Sequence, residues 1–419
     1  MASTLTQTID SLTQKVGTLG VRGSTQPIPR NHSLDKWKSF EVTPFIGQEF
    51  GSDIQLSQIV NAPNADELIK DLAVLISQRG VVFFRAQDIN VDDQKTLGKR
   101  LGELSGKPGD STLHIHPTTE ISSSKGDQIS IITSERQSRN IGDPSRLASQ
   151  LWHSDITFEP VPSDYAILKI HTAPPSGGDT IWASAYEAYS RLSPDFAKFL
   201  EGKEAFHEAT FFSKAAEQYG IELRTGQRGS PLNEGPSLSA IHPVIRVNPV
   251  TGWKGLFVNH GFTRRILGVT KDESDFILDY LFVCYVPLPS TLHTTVHFIP
   301  HTPRSTTHTP HSNLKLRSAN AKGGQSQKVT QNNHDLQVRF KWGVNYPTGI
   351  ADVAIWDNRS TSHSATYDYE KQLRVGDRVV SIGERPYFDP LATTRRETLG
   401  LALPTEGALG EVYRAQVAK

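Results

Sequence analysis

The chain has 419 residues, 44 basic and 44 acidic side chains and 36% hydrophobic residues, so it can bury a sizeable core but carries no charge field to recruit nucleic acid or an anionic membrane. Its single cysteine, Cys284, excludes an internal disulfide framework and any cysteine-held zinc or iron–sulfur site, which fits a reducing compartment. There is no run of about eighteen apolar residues and no basic-then-apolar leader, so the expected address is the cytoplasm.

Residues 1–35 are rich in Ser, Thr, Gln and Gly, with one weak helical stripe at Leu5, Ile9, Leu12 and Val16, and are expected to form a flexible arm. A single domain is expected over 36–395, followed by a tail over 396–419. Asp66 and Glu67 open a helix with Leu68, Leu72, Leu75 and Ile76 on one face, closed by Gly80. Val81–Phe84 reads as a buried strand and Gln94–Leu104 as a second helix. In His114-Ile115-His116-Pro117 the two histidines share one face of an extended segment, for which a surface loop is the ordinary reading.

Ile129–Thr133 is a short β-branched strand, and a polar stretch then leads to Trp152–Phe158, WHSDITF. Read as a strand, it points His153 and Asp155 the same way and Ser154 the other. One imidazole and one carboxylate side by side are two of the three donors of a 2-His-1-carboxylate iron site, although a polar pair on a strand is the commoner meaning of His-x-Asp. Tyr165–His171 alternates like a strand, PPSGGDT (Pro174–Thr180) is a turn into Ile181-Trp182, and Ala185–Leu192 and Pro194–Leu200 read as helices. Val244–Val247 and Leu256–Asn259 form a hairpin around Asn248–Gly252. Short strands with helices mainly before and between them predict a mainly β fold with flanking helices, of the jelly-roll class.

Residues 283–331 hold five of the fifteen histidines, but prolines and irregular spacing give them no common face, so a metal-binding tract is rejected. The stretch reads as a disordered insertion separating a helix (Ser274–Phe282) from a strand (Leu336–Trp342). Val353–Trp356 is an apolar strand, Asp357-Asn358-Arg359 a turn, and His363 follows as a third candidate donor. On a strand Arg374, Gly376 and Arg378 share a face, with Gly376 leaving room between them. Two guanidinium groups aimed into one cavity predict two anions there.

The order WHSD, GGDT, WDNRSTSH and two arginines resembles the TauD/TfdA family of Fe(II)- and 2-oxoglutarate-dependent dioxygenases, from about Phe45 to about Pro390. HIHP, GGDTIWAS and the HPVIR…TG…LFVN hairpin are similar to its taurine and sulfonate branch, fungal members in particular. The resemblance implies a double-stranded β-helix core, with His153, Asp155 and His363 as the catalytic iron ligands. It implies that Thr180 and Arg374 bind the cosubstrate 2-oxoglutarate, O₂ being the third reactant. His116, Ile156 and Arg378 match the positions that hold the substrate sulfonate. The implied reaction hydroxylates a small taurine-like organosulfonate next to sulfur, releasing sulfite, an aldehyde, succinate and CO₂. A sulfate ester, an aryloxyalkanoate or a purine such as xanthine is the alternative substrate. Thr119 stands where taurine enzymes have a tyrosine. A zinc hydrolase would leave Arg374 and Thr180 without a purpose, and a non-catalytic jelly roll would have lost a ligand. The expected partner is a small anionic molecule, without nucleic acid or membrane, and a homo-oligomer is a possible assembly.

Overall fold

Four consecutive apolar residues, Val81 to Phe84, have no polar face to turn to water, and the computed structural model buries both of their faces. The structure describes residues 26–118, 125–134, 152–285, 336–344, 346–369 and 372–402. Thr119, the weak stripe within 1–25, nearly all of the expected insertion and the tail from 403 lie outside these residues.

In chain order the strands are β1 Ser39–Glu41, β2 Gln48–Phe50, β3 Val81–Gln87, β4 Ser130–Thr133, β5 Ser163–Thr172, β6 Thr180–Ser184, β7 Glu204–Glu208, β8 Ser239–Pro243, β9 Ile245–Val247, β10 Lys254–Leu256, β11 Thr263–Ile266, β12 Gln337–Phe340, β13 Ala351–Asp357, β14 Thr361–Ala365 and β15 Val375–Ile382. The described helices are α1 Leu56–Val60, α2 Ala65–Arg79, α3 Val91–Leu104, α4 Ala185–Ser190, α5 Pro194–Leu200, α6 Thr210–Tyr219, α7 Lys271–Val283 and α8 Arg395–Leu399. Seven strands in the order β1-β2-β3-β13-β5-β15-β4 make the large sheet, parallel only at β2–β3. β12-β6-β14 and β11-β7-β8 make three-stranded sheets, and β9 and β10 a hairpin.

Side-chain alternation divides the large sheet between two cores. Val82, Phe84, Tyr165, Ile167, Val353, Ile355 and Val379 face outward onto Leu68, Leu72 and Ile76 of α2 and Leu97 and Leu101 of α3. Val81, Phe83, Ala166, Leu168, Ala354, Trp356 and Val380 face inward onto Trp182 of β6 and Val338 and Phe340 of β12. Phe83 stacks on Phe340 with centroids 4.2 Å apart and meets the Trp182 edge at 5.4 Å. The inner faces therefore oppose one another, and the WHSD, HIHP and GGDT segments gather around this inner space.

Both ends of the expected domain are better fastened than composition suggests. Arg30 forks onto Asp71 of α2 through Nε (3.0 Å) and Nη2 (2.9 Å), and the backbone N–H groups of His32 and Leu34 bond to the same carboxylate. With Leu34 fully buried, residues 26–35 are not part of a loose arm. At the other end, Arg396 of α8 donates to Glu187 of α4 through Nε (3.0 Å) and Nη2 (2.7 Å), so the start of the expected tail packs against the domain.

Candidate active site

The WHSD segment is not a strand. His153 forms one isolated antiparallel bridge to His363 of β14, its N–H donating to the His363 carbonyl (3.0 Å) while the His363 N–H donates to the His153 carbonyl (2.8 Å). The chain then turns, and Ile156 sits at φ 65°, in the left-handed region that a β-branched residue rarely enters. Backbone strain of this kind costs about 1–3 kcal/mol and collects at functional sites. No described acceptor takes up the Ile156 N–H. The turn, not strand alternation, brings Asp155 beside His153.

His153, Asp155 and His363 each offer a donor atom, and the three atoms lie within 4.8 Å of one another. Asp155 is buried with Nε2 of His153 at 3.8 Å from Oδ1 and Nε2 of His363 at 3.9 Å from Oδ2. Burial alone would raise its carboxyl, but the Arg378 guanidinium, the two imidazoles and Asn358 bring it down to about 2. Burial, followed by the nearby His153, pushes His363 down to about 3. An ionised carboxylate beside a neutral imidazole is the protonation state a divalent cation requires. Nε2 of His363 faces the cluster, and its buried Nδ1 has no partner among the described residues. The donor set fits Fe(II).

Asn358, not singled out by spacing, holds the carboxylate in place. Its Oδ1 accepts from the Asp155 N–H (3.0 Å) and from Trp356 Nε1 (2.9 Å), and its Nδ2 donates to Ser163 Oγ (2.9 Å) and reaches Asp155 Oδ2 at 3.5 Å. The turn carrying Asn358 is itself fixed, because buried Arg359 forks back onto both Asp357 oxygens at 2.8 Å. The WDNR string was the available signal, although a turn was all it announced.

Arg374 and Thr180 meet at the other end of the inner space. Arg374 is 2% exposed, and no described carboxylate lies within ion-pair distance of it. Nε donates to the Gly178 carbonyl (2.8 Å) and Nη2 to Thr180 Oγ1 (3.1 Å). Gly178 has φ 69°, and a Cβ there would sit 2.8 Å from Pro174 and 3.2 Å from the Arg374 stem, which accounts for the glycine in GGDT. Trp342 Nε1 also donates to Thr180 Oγ1 (3.2 Å), so this oxygen accepts twice and its own hydrogen remains to be given away. A buried cation with no counter-charge among the described residues, next to a hydroxyl with a proton to donate, suits a carboxylate.

Arg378 faces the same space but does not stand alone, since its Nη1 donates to Asp155 Oδ1 at 2.8 Å. Its Nε is buried without a partner. Gly376 does not open room for a ligand between the arginines, because a Cβ there would lie 2.5 Å from the Lys169 carbonyl and from Ile170, so close passage of β5 is what demands the glycine. HIHP is an extended segment running beside β15 rather than a free loop: Leu113 bridges Ser381 and the His114 N–H donates to the Val380 carbonyl (2.8 Å). His116 is pushed down to about 3 by burial and by Arg378, and its Nδ1 lies 3.3 Å from the Thr118 N–H and 3.0 Å from Thr118 Oγ1. A separate cleft of about 750 Å³, lined among others by Gln94, Lys169, His171 and Asp377, contains none of these residues.

The family described as "Taurine catabolism dioxygenase TauD, TfdA family" matches residues 38–290, ending inside the stretch read as an insertion. An alpha-ketoglutarate-dependent dioxygenase named esdpJ from Penicillium shearii is 36% identical over 92% of this chain and 99% of its own. A putative alpha-ketoglutarate-dependent sulfonate dioxygenase from Schizosaccharomyces pombe is 32% identical over 83% of this chain and 70% of its own. Among solved structures, a putative alpha-ketoglutarate-dependent taurine dioxygenase from Burkholderia xenovorans aligns with TM-score 0.56 at 23% identity, covering 85% of this chain and 93% of that one. Matched along most of its length by such relatives, and with a His-Asp-His group at the centre of its fold, the chain belongs to the TauD/TfdA family and is an alpha-ketoglutarate-dependent dioxygenase.

Proposed function

We propose that the enzyme is an organosulfonate dioxygenase on a jelly-roll core, hydroxylating the carbon next to sulfur. The observation that carries this reading is Arg378, whose Nη1 sits on Asp155, whose Nε is buried with no described partner, and which is near enough to the His116 imidazole to depress its pKa. A guanidinium with a second polar ring nearby suits a compact anion better than a planar, uncharged purine. The name carried by the fission-yeast relative supports the same class.

His153, Asp155 and His363 would hold Fe(II), which when bound supplies the redox chemistry coupling oxidative decarboxylation of 2-oxoglutarate by O₂ to hydroxylation of the substrate. Arg374 anchors the distal carboxylate, and the Gly178 carbonyl keeps its guanidinium from swinging away. Thr180 adds the hydroxyl proton. Arg378 and His116 hold the sulfonate so that its α-carbon lies toward the three ligands, and His116 donates as a neutral imidazole throughout the physiological range. Once the α-carbon carries a hydroxyl, loss of its proton forms the carbonyl and the C–S electron pair leaves with sulfite.

The test is the purified protein supplied with Fe(II), 2-oxoglutarate and an alkanesulfonate. Sulfite and succinate should appear one for one. Succinate tightly coupled to oxidation of a sulfur-free acid, with no sulfite from any sulfonate, would reject the sulfonate reading and leave the dioxygenase assignment untouched.

A further inference from the structure

We propose that the substrate carries an apolar body behind its anionic group, seated on an aromatic ramp that leads from the metal ligands to solvent, and that an ammonium end such as that of taurine is disfavoured. The inference rests on the preceding reading only for the identity of the anion.

The ramp has four rings. Phe262 lies 6.0 Å from the His153 ring and 5.1 Å from Phe158, and Phe158 lies 5.5 Å from Phe212. Phe212 meets the His116 ring at 4.7 Å, and Phe211 touches both Phe212 (4.3 Å) and Phe262 (5.9 Å). The wall thus spans a metal ligand and the imidazole assigned to the anion, so a molecule held by His116 and reaching toward His153 must lie along it. Burial falls along the ramp from 1% exposure at Phe158 to 44% at Phe211.

Phe211 and Phe212 belong to α6, whose only buried residue is Ala216. A helix normally covers its aromatic side with protein. Here Phe212 packs on Phe158 and the His116 ring while Phe211 stays 44% exposed, and an apolar ligand body would extend that cover. Carboxylates on the elements carrying the ramp are committed elsewhere: Asp155 pairs with Arg378, Glu159 is forked by buried Arg228, and Glu208 lies by Arg264. Glu217 is about 140° around α6 from Phe212 at 3.6 residues per turn. Among the described residues, none of these four offers an ammonium group an unpaired counter-charge on the ramp.

Taurine and propane-1-sulfonate differ chiefly in exchanging an ammonium for a methyl group, which isolates the charge. Sulfite release should require at least tenfold less propanesulfonate than taurine. From propane- to pentane- to heptanesulfonate the half-saturating concentration should fall about fourfold for each methylene buried. Phe211→Ser, at an exposed position where folding is not at stake, should flatten this dependence at the longer chains. Preference for taurine, or no change with chain length, overturns the proposal while leaving the sulfonate reading intact. If sulfonates release no sulfite but alkyl sulfates or alkanoates are turned over, the sulfonate reading falls. The same length series on that anion then decides the ramp: a rising preference upholds it and a flat one removes it.

Discussion

Asp155 answers to more groups than any other residue in the site, with Arg378 on one oxygen, Asn358 near the other and the two imidazoles on either side. Under the proposed function Arg378 has a second task at the substrate anion, and Arg378→Ala should show both. The half-saturating sulfonate concentration should rise by the equivalent of about 2–5 kcal/mol, the usual cost of removing one partner of a buried charge pair. The Asp155 carboxyl should also lose its main depressing influence, so protons compete with metal at mildly acidic pH. Co(II) titrations of the metal-free variant at pH 5 and pH 7 should then diverge more than those of the parent. Identical divergence would mean that the Arg378–Asp155 contact does not tune the metal site. Arg374→Lys tests the residue proposed for 2-oxoglutarate. A point charge replaces a planar fork already braced by Gly178 and Thr180, and the 2-oxoglutarate requirement should rise about tenfold or more with little change for sulfonate. Equal shifts in both would place Arg374 at the wrong anion.

At the scale of elements, the end of α7 and the start of β12 are neighbours although some fifty residues separate them in sequence. Gln337 donates through Nε2 to the Tyr285 carbonyl, and the Tyr285 hydroxyl donates to the Leu256 carbonyl (2.7 Å). Two ends held this close need only a short connection. Replacing 288–332 by a short Gly/Ser linker should leave succinate release intact. Loop-closure entropy alone favours the shorter chain by roughly 1–2 kcal/mol, since each halving of loop length gains about 0.6 kcal/mol. Urea melts of the two chains measure this directly, and loss of folding on deletion would show that the segment contributes structure. The capping box at the start of α7, where Thr270 and Glu273 satisfy each other's backbone N–H, fastens the helix at the end far from the change.

Over the whole molecule, buried histidines couple stability to pH. His242, 2% exposed, is pushed down to about 3 chiefly by burial, as is His363, 6% exposed. In each the folded pKa lies below the unfolded value, so the unfolded chain binds the proton first. Stability is then fully present above about pH 6.5 and is lost as pH falls toward 3. Each group contributes a slope of about 1.4 kcal/mol per pH unit across that window. Urea midpoints of the metal-free protein should fall steadily from pH 7 to pH 5, and His242→Gln should reduce the slope by about one group's share. An unchanged slope would show that His242 is not part of the coupling. His242 earns its burial by accepting a structural task, its Nε2 lying 3.0 Å from the carbonyls of Thr157 and Glu159 and so steadying the turn that follows Asp155.

The sequence alone determined what could be read from local period and residue type. The helix ending at Gly80 and the doubly buried run Val81–Phe84 were legible, because burial on a helix or strand writes its period into the chain, whereas His153, Asp155 and His363 were legible as residue types and motif order. The resemblance carried by GGDT and the paired arginines supplied the family. What the tertiary structure decided were matters of approach between distant segments. WHSD is a strained turn and not a strand, because one bridge to His363 and the Asn358 amide fix its path in place of a ladder. Gly376 yields to β5 and not to a ligand, and Arg378 is bonded to Asp155. Nothing in the local pattern of helix α6 announces that its Phe211 and Phe212 meet Phe158 and Phe262 from other parts of the chain. Periodicity reports which face of an element is dry; only folding reports what stands opposite that face, and the chemistry of this site lies in those oppositions.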